Sequence, residues 1–282
     1  MLTMLVVFGL FLYTWQRLHK KINIHAQNSE KELPPGLMAQ TRYTTNPSNQ
    51  KIAYWYFPVK NARAVVVLIH GYSNPGGKSQ MLDHVAYLHE AGYSSVALDL
   101  RSFGESEGNK MTLGVNEWRD VEVVYDAIKL LPENMNQKIG FFGISMGAST
   151  AIMTAGKTKK GDFLIATVPY ADFRSAFYAQ INAAGFPPTV IYPLMRIAAK
   201  FELGKNYENF VPLKVVSKIN IPTLYISAKR DEEVSSQDAK TLYDLANEPK
   251  DYWEVDSRHD IYNEYPREFK ERILTFLQNS VE

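Results

Sequence analysis

Gly143-Ile144-Ser145-Met146-Gly147 is the stretch with the clearest capacity for covalent chemistry. Glycines two before and two after a serine permit a turn too sharp for larger side chains. The run before it, Lys138 to Phe142, reads as a strand, and Ala148 to Met153 reads as a helix. A turn so placed lifts the hydroxyl above a sheet and aims the free N–H groups of a helix N-terminus at the reacting centre. The pentapeptide alone is a weak signal; its position between strand and helix is the stronger one.

A serine hydroxyl is a poor nucleophile until a base removes its proton. The chain has six histidines, and of these only His259 follows Ser145. It sits in the polar loop Asp256-Ser257-Arg258-His259-Asp260, after the strand-like run Tyr252 to Val255. In strand–turn–helix serine sites the acid lies between serine and histidine in the chain. Asp231, after the run Leu224 to Ser227, is the preferred acid to orient His259 and stabilise its imidazolium. Asp172, after the preceding strand, competes for that role. Asp256 and Asp260 flank His259 too closely to orient it well. An oxyanion hole needs two backbone donors. Met146 supplies one N–H, and Tyr72, in His70-Gly71-Tyr72 after a buried strand run, supplies the other. His70 is read as shaping that loop rather than as a second base.

Positioning such a set requires a sheet whose loops converge at one rim. Ala64 to Ile69, Ser94 to Leu98, Lys138 to Phe142, Phe163 to Val168 and Ile221 to Ser227 are short apolar runs rich in β-branched residues. Strands buried on both faces have this composition. Lys51 to Phe57 alternates like a half-exposed strand. Between the runs, Trp118, Val121, Val124, Tyr125 and Ile128 recur at helical spacing, as do Ile273, Leu274, Phe276 and Leu277. Buried runs alternating with helices predict an α/β fold, a mostly parallel sheet with helices on both faces. The alternation lapses once, from about residue 171 to 211. Structureless loops longer than about 15 residues are rare in compact domains, so a small helical insertion is expected there. Its large apolar side chains include Phe177, Phe186, Tyr192 and Met195, expected to wall a substrate site as well as to pack onto the sheet.

The chain has 282 residues, 45% of them hydrophobic and 22% charged. One domain with an insertion covering about residues 41–282 fits that length. The net charge of +1 sets up no field that would draw nucleic acid. The absence of cysteine removes disulfides, thiolate nucleophiles and Cys-based zinc sites. Leu2 to Trp15 carries no charge, and Arg17, Lys20 and Lys21 follow it. That run spans only about 21 Å against about 30 Å of bilayer hydrocarbon. A membrane anchor over residues 1–21 is nevertheless the preferred reading, with the domain facing the cytoplasm. A cleaved secretory signal is the alternative, although charge should then precede the apolar run. Residues 22–40, with Pro34-Pro35-Gly36, read as a linker.

Together these pieces resemble the α/β-hydrolase family, in its monoacylglycerol lipase-like and serine aminopeptidase-like branch. The matching segments are His70-Gly71-Tyr72, Asp99 to Ser106, Gly143 to Gly147, Ile221 to Val234 and Ser257 to Asp260. The resemblance implies Ser145 as nucleophile, Asp231 as acid, His259 as base, and Tyr72 and Met146 as oxyanion donors. It implies that residues of about 171–211 form a cap, and that Asp99 and Arg101 brace a loop. Ser102 and Ala228 stand where relatives often have glycine. The expected activity is ester hydrolysis through an acyl-enzyme, on a lipid-like or short-chain small-molecule ester, without metal or organic cofactor. A serine peptidase or amidase would use the same residues. A thioesterase would too, but no basic cluster marks a coenzyme A phosphate site. A membrane-tethered interaction protein with a retired site is the non-enzymatic alternative. A serine at this position also argues against haloalkane dehalogenation, which suits a carboxylate nucleophile.

Overall fold

The computed structural model describes residues 2–27, 31–73, 75–205 and 207–282, with the backbone alone for 2–7. Among these residues eight strands form one sheet: β1 Gln40–Thr45, β2 Lys51–Phe57, β3 Val65–Ile69, β4 Ser94–Leu98, β5 Ile139–Ile144, β6 Leu164–Thr167, β7 Thr223–Ala228 and β8 Lys250–Val255. Their order is β1-β2-β4-β3-β5-β6-β7-β8. From β4 to β8 every pairing is parallel, while β1 and β2 add an antiparallel edge. The helices are α1 Leu2–Ile22, α2 Leu82–Glu90, α3 Glu117–Lys129, α4 Met146–Thr158, α5 Phe173–Ala183, α6 Pro188–Leu203, α7 Ser236–Leu245, α8 Ile261–Glu264 and α9 Pro266–Val281.

Strand β3 shows why its sequence is apolar throughout. Val65, Val67 and Ile69 pack into one core with Val121, Val124 and Ile128 of α3 and Ile152 of α4. Val66 and Leu68 point the other way, into a second core with Val85 and Leu88 of α2 and Ile273 and Leu277 of α9. Alternate side chains of one strand thus meet helices on opposite faces. Strand β1, reading QTRYTT, was not expected as a strand. It is an exposed edge with no apolar run to betray it.

The connections create the crevice. After β3 the chain moves outward to β4, then returns across β3 to make β5 on the other side. The loops leaving β3 and β5 therefore part above the sheet. In open α/β sheets ligands bind at such a switch point, outside the carboxyl ends of the strands.

The N-terminal segment corrects one expectation. Among the described residues no helix is long and apolar enough to cross a membrane. The charged residues in the last two turns of α1 leave too short an apolar stretch. Instead α1 buries Thr14, Leu18 and Ile22. The expected linker is also engaged over its described start. Ile22 O accepts from Met111 N–H at 2.8 Å, Ala26 N–H donates to Ser102 O at 2.8 Å, and Gln27 O accepts from Gly76 N–H at 2.8 Å. Residues 28–30 of that linker lie outside the described residues.

Candidate active site

Ser145 follows β5 directly and precedes the first turn of α4, with φ of 55°. A serine in this left-handed region costs strain that the surroundings must hold. The glycines show how. A Cβ on Gly143 would stand 2.3 Å from Gly147 O, and one on Gly147 would stand 2.1 Å from Ile69 O. Both positions thus require glycine if the turn is to close against itself and against β3. Ser145 N–H donates to Thr167 O at 2.8 Å, which ties the turn to β6. Met146 is the first residue of α4, so its N–H has no partner within the helix. Gly71, on the loop after β3, approaches the same point: a Cβ there would be 3.4 Å from Ser145 Cβ. Tyr72 follows directly and lines the Ser145 cavity.

Two loops deliver the other side chains. The loops after β7 and β8 are tied by Lys229 N–H to Val255 O at 2.8 Å and Arg230 N–H to Ser257 O at 2.9 Å. Asp231 Oδ1 accepts from the N–H groups of Glu233 and Val234 at 2.8 and 2.9 Å. Its Oδ2 lies 2.7 Å from His259 Nδ1. The Asp231 side chain is only 1% exposed. A carboxylate so placed fixes the imidazole with its proton on Nδ1 and leaves Nε2 as an acceptor. Burial alone would lower the His259 pKa, but the hydrogen bond and charge of Asp231, with Glu233 and Asp260 beyond, raise it above its ordinary value.

Ser145 and His259 line one cavity of about 720 Å³, together with Gly71 and Tyr72. Among the described residues no hydrogen bond joins the two side chains. In sites without substrate such bonds are often long and tighten only in the complex. Asp172, the competing acid, is committed elsewhere. It caps α5, accepting from Ser175 N–H at 2.8 Å. His70 is fully buried, with Nε2 accepting from Leu100 N–H at 3.1 Å and Nδ1 2.7 Å from Gly71 O. Burial holds its pKa down. A neutral ring donating to Gly71 shapes the loop that carries Tyr72.

The family model described as serine aminopeptidase, S33 (Hydrolase_4) matches residues 60–202. The chain belongs to this α/β-hydrolase family. It is 28% identical over 226 residues to the uncharacterized protein YqkD of Bacillus subtilis, covering 76% of this chain and 71% of that protein. Lysophosphatidylserine lipase ABHD12 of Danio rerio is 27% identical over 213 residues, covering 71% of this chain and 52% of that protein. Esterase Pf2001 of Pyrococcus furiosus superposes with a TM-score of 0.76 at 22% identity, over 91% of this chain and 97% of that one. At that identity the likeness is one of fold.

In this family member the helices between β6 and β7 do not wall the Ser145 cavity. Phe177, Phe186 and Met195 instead line a second chamber of about 450 Å³, between α1 and the pair α5 and α6. Tyr72 lines both spaces. Tyr192 lines neither; its ring packs on Tyr178 with centroids 5.1 Å apart.

Several residues of the site escaped the sequence reading. Arg101 does brace a loop, through Asp120: its Nε and Nη2 reach the Asp120 oxygens at 2.9 and 2.7 Å. Asp99 binds Lys78, whose N–H and Nζ reach its carboxylate at 2.7 and 2.5 Å, with both side chains fully buried. His84 reaches the Ser145 cavity, and burial pushes its pKa down to about 4. Glu233 lines the same cavity. A charged residue inside an apolar helical register, as Asp120 is beside Val121, was the available signal for the first pair.

Proposed function

We propose that this hydrolase cleaves carboxylic esters through an acyl-enzyme on Ser145. One observation carries the reading: Ser145 stands on a strained strand-to-helix turn facing the cavity that His259, already bonded to Asp231, also lines. In this mechanism Ser145 Oγ attacks the acyl carbonyl while His259 Nε2 takes its proton. The N–H groups of Met146 and Tyr72 receive the charge that develops on the carbonyl oxygen. The alcohol leaves with the proton from His259. Water then attacks the acyl-enzyme with His259 again as base.

The apolar chamber beside the site suits an apolar acyl chain. The esterase and lipase names of similar proteins point to an ester. The helices between β6 and β7 act as a cap that offers this chamber to the acyl chain. A second reading has one observation behind it. Glu233 lines the Ser145 cavity and could hold the amino group of a peptide, as the family's aminopeptidase name suggests.

A fluorophosphonate probe tests the nucleophile. It labels the wild-type protein and leaves Ser145→Ala unlabelled; labelling that persists in the variant overturns the assignment. Turnover of p-nitrophenyl acyl esters against aminoacyl p-nitroanilides separates the two readings. The ester proposal expects the esters to win, and preference for the anilides refutes it.

A further inference from the structure

The chamber of about 450 Å³ has three walls, and one of them is α1, which lies outside the matched residues 60–202. Its size is within the range of about 300–1,000 Å³ typical of small-molecule sites. Leu18, Phe177, Ile181, Phe186, Ile191 and Met195 make it apolar. Its charged lining is of one sign: Arg17, Lys20 and Lys21, with no carboxylate among the described lining residues. Lys21 stands at the inner end. Its Nζ lies 4.6 Å from the centre of the Tyr72 ring and donates to Gln180 Oε1 at 3.0 Å. Tyr72 also lines the Ser145 cavity, so the ammonium packs on the one residue that the two spaces share.

We propose that α1 completes the acyl-chain site and that Lys21 recognises an anionic group near the ester, so that single-chain amphiphiles bearing a phosphate or carboxylate are the preferred ligands. The proposal deepens the reading of Ser145 and rests on it for what the chamber feeds. Several observations support it. An apolar chain fills the space between α1, α5 and α6. A cation held among apolar groups is far more effective than one in water. Desolvation lowers the Lys21 pKa to about 8, with Glu233 acting to raise it and Arg17 to lower it further, so the group is still mainly charged at pH 7. The Tyr72 ring and Gln180 hold it in place without neutralising it. Within the chamber lining no carboxylate balances these cations, and the ligand's anion would do so.

The test is calorimetric binding of decyl phosphate, decanoate and decanol, each below its aggregation threshold, to the full chain. The anions bind about tenfold more tightly than decanol, as one charge-assisted contact implies. Comparison of the two anions tells which group the site prefers. Lys21→Gln removes the discrimination and Lys21→Arg keeps it; thermal unfolding confirms that both are folded. Equal affinity for decyl phosphate and decanol in the wild type overturns the proposal. So does discrimination that survives in Lys21→Gln. Met195→Trp, which fills the chamber, weakens all three ligands, and unchanged binding also counts against the site. In parallel, decyl phosphate slows fluorophosphonate labelling. Charge-selective binding without any labelling would sink the Ser145 reading alone. Labelling without charge selectivity would sink only this proposal.

Discussion

His259 Nδ1 meets Asp231 Oδ2 at 2.7 Å across a gap of 28 residues, and Asp231 is itself held by two backbone N–H groups. That bond sets the ring's tautomer and its basicity together. Replacing Asp231 with Asn keeps the shape but offers the ring an amide in place of a charge. Under the proposed mechanism the expected result is a loss of about 10³–10⁴-fold in kcat, the loss a serine triad suffers without its carboxylate. A loss below tenfold, measured on folded protein, would show that another group orients His259.

The same environment makes a pH prediction. In the proposed mechanism His259 must be neutral to act as base, and its pKa is raised by Asp231, Glu233 and Asp260. The acidic limb of kcat/KM therefore lies above the ordinary histidine value, and activity falls as pH drops through it. Glu233→Gln removes one of the charges that favour the imidazolium. Its limb moves to lower pH, so the variant retains a larger share of its own maximum activity in mild acid. A pH–rate profile of both proteins checks this; a limb that stays put or moves upward contradicts it.

Gly147 is the tightest point of the serine turn. A methyl group there would stand 2.1 Å from Ile69 O and 2.6 Å from His70 O, both backbone atoms that cannot swing aside. Gly147→Ala is expected to lower stability by about 3 kcal/mol. Because the displaced atoms lie at the end of β3 and the start of the loop carrying Tyr72, it also depresses activity in whatever protein remains folded. Gly9→Ala provides the contrast. That glycine lies in α1 with nothing within 4 Å of its missing methyl, so the change stabilises by about 0.5–1 kcal/mol. Chemical denaturation of the two variants should give shifts of opposite sign.

How far these features were legible depended on whether a residue's role is local. Buried strands announce themselves, since β3 and β4 must be apolar on both faces. The serine turn is local as well, because its glycines are demanded by contacts a few residues away. Strand β1 has neither property; its residues are polar and lie at an edge, four of the six exposed. Asp120 and Lys78 were missed because their partners, Arg101 and Asp99, lie 19 and 21 residues away. The first helix misled for a different reason. An apolar run followed by cations suits a membrane surface and equally suits a helix that lays one face on α6. In the structure α1 takes the second course, with Glu202, 183 residues further on, meeting His19.

Ser102 holds a backbone conformation that carries a measurable cost. It adopts φ of 65°, and its buried Oγ has no partner among the described residues. A non-glycine residue in that region loses about 1–2 kcal/mol. An unsatisfied buried hydroxyl adds about 1–3 kcal/mol. Glycine's greater freedom in the unfolded chain offsets part of this, at about 0.5–1 kcal/mol. Ser102→Gly should therefore stabilise the protein by about 1–4 kcal/mol and leave the Arg101–Asp120 bonds in place. A destabilised variant would mean that the hydroxyl has a partner in solution.

Glu202 of α6 is the clamp that seats α1. Its carboxylate lies 2.8 Å from His19 Nδ1, 3.1 Å from Asn23 Nδ2 and 3.2 Å from Lys110 Nζ. The side chain is only 8% exposed. Burial acts to raise its pKa, but these three donors together bring it down to about 2. A carboxylate whose folded pKa is depressed contributes stability that is complete above its unfolded value, about 4.3. The contribution is lost as pH falls from there toward 2. Glu202→Gln removes it, so the variant melts lower than wild type at pH 7. The difference shrinks through this acid window as the wild-type carboxylate is protonated. Thermal melts of both proteins between pH 7 and pH 2 measure the effect. A gap that stays constant across that range would show that the ion pairs do not seat the helix. If α1 walls the ligand chamber, weakening the clamp should also loosen decyl phosphate binding at neutral pH. The two effects share one cause, because a helix free to lift from α6 takes Lys21 with it.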